Sequence, residues 1–162
     1  MVRLILLATL VALHAAFGIP DFMSAGPYWQ RALLYSFFHA NWWHLAVNAI
    51  AIWSIYAPRR CKPCRDLLFA FIIAIVVYPL SLRPVIGFSN VLYAALGLRT
   101  PPLSSSWWKR PEVWVFLAVT VAMVFIPRLS ATTHIAAFLL GMGGAAAGRL
   151  WQNLNADARR YY

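Results

Sequence analysis

Six apolar runs, broken by short polar stretches, dominate the chain: residues 2–18, 33–57, 67–82, 85–98, 113–126 and 132–151. About 20 such residues suffice to carry a helix across a bilayer. The pattern predicts an all-α membrane protein, a bundle of six transmembrane helices forming one domain over residues 1–162. The fourth run is short: at 1.5 Å per residue it reaches about 21 Å as a helix, against a hydrocarbon core of roughly 30 Å. The segment before it, "SLRPVIG", must then enter the membrane as irregular backbone. Such backbone is tolerated only inside protein or facing a water-filled cavity. Ser89 is therefore expected at the floor of a cavity open to the outside.

Charge gives the orientation. With the N-terminus inside, the inner segments hold Arg3, Arg59, Arg60, Lys62, Arg65, Arg99, Lys109, Arg110, Arg149, Arg159 and Arg160, and the outer loops only Arg31, Arg83 and Arg128. This asymmetry follows the positive-inside rule and predicts a multi-pass protein of the cytoplasmic (inner) membrane with both termini cytoplasmic. The net charge of +10 is thus a topology signal rather than a nucleic-acid footprint, and no nucleic acid is expected. The first run is read as a retained helix, not a cleaved signal peptide. The two cysteines form "CKPC" (Cys61–Cys64). With no further Cys and no His on that side, they lack the ligands of a zinc site and read as reduced thiols in a cytoplasmic turn.

The even-numbered spans all run from outside to inside, so their starts share one face of the membrane. Span 2 carries His39, His44 and Asn48 there, span 4 carries Ser89, and span 6 carries His134. His44 and Asn48 lie four apart and project from one helix face, as do Ser89 and Tyr93. On span 6, Gly141 shares a face with His134; Ala137, Gly141 and Ala145 form a small-residue stripe, as do Gly144 and Gly148. Such stripes let membrane helices approach closely. With Gly97 offering room on span 4, close packing of spans 4 and 6 is expected to bring Ser89 toward His134.

A serine hydroxyl becomes a useful nucleophile when a base takes its proton. His134 is the candidate base. The chain has four acids: Asp21, Asp66, Glu112 and Asp157. Three are expected at the cytoplasmic side and Asp21 in the first outer loop, so a Ser–His dyad is expected rather than a triad. Tyr93, one turn below Ser89, is a candidate to pack on the imidazole. Acyl transfer also needs donors for a developing oxyanion. His44, Asn48 and the Ser89 amide, at a helix start where the dipole helps, are the candidates. His39 points elsewhere and reads as a structural histidine bonding the first outer loop.

These residues resemble those of the rhomboid intramembrane serine proteases. "HANWWHLAVN" is similar to that family's H-x4-H-x3-N, "GFSNVLYAALG" to its G-x-S-G segment with a following Tyr and Gly, and "HIAAFLLG" to its H-x-x-G-x-x-x-G. "YWQR" (Tyr28–Arg31) is similar to its Trp-Arg element with the spacing shifted by one. The resemblance runs from span 1 through span 6 and looks like a minimal six-helix prokaryotic member. It implies Ser89 as nucleophile, His134 as base, and His44, Asn48 and Ser89 at the oxyanion hole, with Gly87, Tyr93, His39 and Gly141 in support. It implies transmembrane protein substrates cut near their outer end, no metal and no cofactor; a monomer suffices. Asn90 stands where the family has Gly after the serine, and Ala137 where it has the first Gly after the histidine.

Blander readings compete. His14 reads as a packed histidine. His44 with Asn48 could merely glue helices, an interaction of about 1 kcal/mol. A lone membrane Ser usually bonds its own helix. The tryptophans at 29, 42, 43, 107 and 108 read as interfacial belts. Residues 153–162 read as a short polar tail. Asn90, by adding bulk beside the serine, keeps open a rhomboid-like pseudoprotease that binds transmembrane helices without cutting them. A small transporter is the third reading.

Overall fold

Several helix ends in this chain are set by proline, an asparagine cap or glycine. The computed structural model describes residues 1–21, 23, 26–55, 63–81, 85–100, 109, 111–125 and 130–158. Among them are seven α-helices and no strand: α1 (Val2–Phe17), α2 (Tyr28–Leu34), α3 (Trp42–Ile55), α4 (Pro63–Val77), α5 (Ser89–Arg99), α6 (Pro111–Phe125) and α7 (Ala131–Ala158). α1 stops at Gly18, whose φ of 55° places it in the left-handed region. α4 and α6 each open on a proline, which needs no amide partner at a first helical position. Asn41 caps α3: its Oδ1 accepts the His44 amide at 2.8 Å.

α4 starts four residues before the run 67–82 and ends five before its close, and α5 starts four residues into the run 85–98; the larger differences from the apolar runs are two. The run 33–57 is not one helix. α2 ends in a 3-10 turn (Tyr35–Phe37), an extended stretch follows, and α3 starts only after the Asn41 cap. At the other end, residues 153–158 are not a tail. α7 continues to Ala158, because no Gly or Pro follows Gly148 to stop it. No helix among the described residues is by itself long and apolar enough to cross a membrane. α1, α3, α4 and α6 have 14–16 residues, and the C-terminal part of α7 is polar.

α5 is the central helix: Asn90, Val91, Leu92, Tyr93, Ala94, Ala95 and Gly97 are all buried. Its tightest neighbour is α7, and α4 and α3 also pack on it. The small faces explain the approach to α7. A Cβ on Gly97 would strike the Phe138 carbonyl and lie 3.0 Å from Met142 N; one on Gly141 would strike the Ala94 carbonyl and lie 2.9 Å from Leu98 N. Gly144 and Gly148 are exposed and permit no such close approach: a Cβ on Gly144 would meet only the Leu98 side chain, at 3.7 Å, and one on Gly148 nothing within 4 Å, so the tightest contact is at Gly141.

Two ends of the bundle can be told apart by chemistry. At one end Arg3 stacks on Trp53 at 3.7 Å, and Arg99 bonds the Ile55 carbonyl and pairs with Asp66 at 3.5 Å. Cys64, an exposed free thiol, lies at the start of α4 near this end; Cys61 lies outside the described residues. At the other end lie His14, His39 and His44, with Ser89 and His134. Large apolar side chains such as Val47, Ile50, Phe69, Val76, Val115 and Val121 face outward from three different helices, α3, α4 and α6.

Candidate active site

Ser89 is the first residue of α5 and His134 lies one turn into α7. The two helices run parallel in tight contact, so their starts coincide. His134 Nε2 sits 2.7 Å from Ser89 Oγ. On the other side of the ring, Nδ1 sits 2.5 Å from the carbonyl of Ser130, the residue before α7. A carbonyl only accepts, so the proton resides on Nδ1 and Nε2 turns its lone pair to the serine hydroxyl. The same carbonyl accepts from Thr133 Oγ1 at 3.0 Å and from the His134 amide at 3.4 Å. Thus a main-chain carbonyl occupies the place of a triad acid. Sequence reasoning missed Ser130, because its carbonyl, not its side chain, is the acceptor, and a main-chain group leaves no signal in the residue type.

Tyr93 meets the imidazole edge-on, with ring centroids 4.7 Å apart at 71°. Its hydroxyl lies 3.1 Å from Thr120 Oγ1. Thr120 spends its own proton on the Phe116 carbonyl at 2.8 Å, so Tyr93 is the donor to Thr120. Phe116 stacks on both Tyr93 and Phe138, closing the α6 side of the imidazole. Among the described residues no carboxylate joins the pair: Asp66 is engaged with Arg99 at the far end and Asp21 is exposed. The Glu112 and Asp157 side chains lie outside the described residues. No group of three or more His, Cys, Asp or Glu among the described residues is placed to hold a metal ion.

His44 faces the loop that carries the nucleophile. A Cβ on Gly87 would lie 2.6 Å from His44 Nε2, and Gly87 has a φ of 115°. Glycine is required there twice over, by backbone and by space. His44 Nδ1 lies 3.5 Å from the Ala40 amide, which makes it the acceptor and leaves the proton on Nε2, the atom directed at Gly87. Asn48 is buried, and its Nδ2 donates to the His44 carbonyl at 3.0 Å. One of its two amide protons is thereby committed to the helix. Gly87→Ala is expected to lower any Ser89-dependent activity at least about 100-fold with helix content unchanged, because a shift of about 1 Å at a reacting centre has that effect. Circular dichroism beside an activity assay checks this; an active Gly87→Ala protein would show that the apposition is dispensable.

Two expectations need correction. His39 does not bond the first outer loop. It is fully buried, and its Nε2 accepts the Phe88 amide at 3.4 Å, one residue from Ser89. The break at residues 38–41 turns His39 inward, beneath His44, at a centroid distance of 5.2 Å. Nor does Asn90 crowd the nucleophile. Its side chain is buried and donates to Tyr35 Oη at 3.1 Å. His14 packs against Trp42 at 4.5 Å, and Trp29 and Trp43 are exposed.

Residues 26–149 match the family model of the Rhomboid domain. No curated protein and no solved structure gives a match. The matched stretch covers well over half of the 162 residues and contains Ser89, His134, His44, Asn48, Gly87, Tyr93 and His39. The chain belongs to the rhomboid family, a family of integral membrane proteins.

Proposed function

We propose that this protein is an intramembrane serine endopeptidase with a Ser89–His134 dyad, cutting transmembrane proteins near their outer end. The observation that carries the reading is the 2.7 Å contact between His134 Nε2 and Ser89 Oγ, with the imidazole tautomer set by the Ser130 carbonyl. Family membership supports it, since most rhomboids are serine proteases of membrane substrates.

In this reading Ser89 Oγ attacks the scissile carbonyl carbon as its proton passes to His134 Nε2. The oxyanion that forms takes hydrogen bonds from His44 Nε2–H, from the uncommitted Asn48 amide proton and from the Ser89 amide, which opens α5 and has no acceptor within the helix. The imidazolium keeps its Nδ1–H on Ser130 and returns the Nε2 proton to the leaving amine. Water then hydrolyses the acyl-enzyme by the reverse proton path. No step needs a metal or cofactor.

The outward apolar side chains suit a lipid surface, for an exposed apolar belt of this extent is a liability in water. The gathering of Arg3, Arg65 and Arg99 at the end opposite Ser89 supports a six-span bundle with cytoplasmic termini and an outward-facing site. A monomer contains every proposed site residue. The helix-binding pseudoprotease rested on Asn90, which is turned away from Ser89. A fluorophosphonate probe separates the two: the protease reading expects wild type to be labelled and Ser89→Ala not, whereas a pseudoprotease leaves both unlabelled.

A further inference from the structure

The turn that presents the nucleophile is tied to one short segment at three positions, 87, 88 and 90. Gly87 N–H donates to the Tyr35 carbonyl at 2.9 Å. Phe88 N–H donates to His39 Nε2 at 3.4 Å. Asn90 Nδ2 donates to Tyr35 Oη at 3.1 Å. Tyr35 Oη in turn donates to the Ala74 carbonyl of α4 at 2.9 Å. Tyr35 and Asn90 are both about 1% exposed, and the Tyr35 ring rests on Tyr78 at 4.9 Å. Ser89 is thus bracketed by two residues that hang from the same tyrosine, itself anchored to a third element. The Asn90 Oδ1 is buried without a partner. A half-satisfied buried amide is a poor source of net stability, so what Asn90 contributes is order in the turn.

We propose that Tyr35 and Asn90 are positioning residues for the nucleophile. Through the Ala74–Tyr35–Asn90 relay and the Tyr35–Gly87 bond, they hold Ser89 Oγ within reach of His134 and Gly87 against His44. The inference rests on the protease reading above and assigns a task to the asparagine that stands where the resembling family has glycine. It predicts a specific pattern. Tyr35→Phe keeps the ring and loses the hydroxyl; Asn90→Ala loses the amide. Each is expected to reduce the fluorophosphonate labelling rate and kcat about tenfold per folded molecule, with KM for a transmembrane substrate unchanged. Because both break one relay, the double variant is expected to be no slower than the slower single. A purely structural role would instead lower the melting temperature and the folded fraction while sparing the rate of the folded protein. The inference is overturned if either single variant labels at the wild-type rate, or if the two losses multiply in the double variant. Wild-type protein that is not labelled at all, like Ser89→Ala, overturns the protease reading and this inference with it.

Discussion

His134→Ala is expected to lower peptide-bond cleavage by at least about 10⁴-fold, as loss of the base does in serine proteases generally. Its Nε2 is the group within reach of Ser89 Oγ that accepts a proton in the tautomer the Ser130 carbonyl imposes. Without it the hydroxyl attacks with its proton in place. The two residues act as a unit, so Ser89→Ala combined with His134→Ala is expected to be no worse than either alone. Alanine leaves a cavity beside Tyr93, so thermal unfolding must be followed alongside cleavage rates. Substantial residual activity in folded His134→Ala would remove the histidine from the mechanism.

The second large effect is expected at a position that touches no reacting atom. Gly141→Val places a branched side chain where even a Cβ would meet the Ala94 carbonyl, Leu98 N at 2.9 Å and Gly97 Cα at 3.1 Å. All three contacts are main chain, so nothing yields except the separation of α5 from α7. Ser89 and His134 sit on those two helices, and parting them by about 1 Å is expected to lower the rate at least about 100-fold. Gly143→Ala and Gly148→Ala supply the contrast, for a Cβ at either meets nothing within 4 Å, and both are expected to retain wild-type rates. Cleavage rates of the three variants, normalised to folded protein, check the prediction. A Gly141→Val protein as active as Gly143→Ala would mean that α5 and α7 need not be so close.

The meeting of Ser89 with His134 was legible because two facts sufficed: both open helices running the same way, and both helices carry small residues on the facing side. Tyr93 was legible from helical spacing alone. The Ser130 carbonyl was harder to see, since main-chain acceptors have no residue signature and the acids drew attention as triad members. His39 was misread because the apolar run 33–57 looks continuous. Its interruption depends on the Asn41 cap, a local contact that hydrophobic periodicity does not report. Asn90 was misread for a related reason. Sequence places it next to Ser89 but not its side chain, and adjacent helical residues project about 100° apart. The choice of Gly141 over Gly148 required knowing which face of α7 meets α5, and its choice over Gly144 required knowing where the two backbones come closest.

The most direct test uses purified protein in liposomes with a generic transmembrane substrate, comparing wild type with Ser89→Ala. Cleavage within the outer half of the substrate by wild type, and none by Ser89→Ala, is the predicted result. Equal cleavage by both, or no cleavage and no fluorophosphonate labelling of either, would contradict the assignment of Ser89 as the nucleophile of a membrane protease.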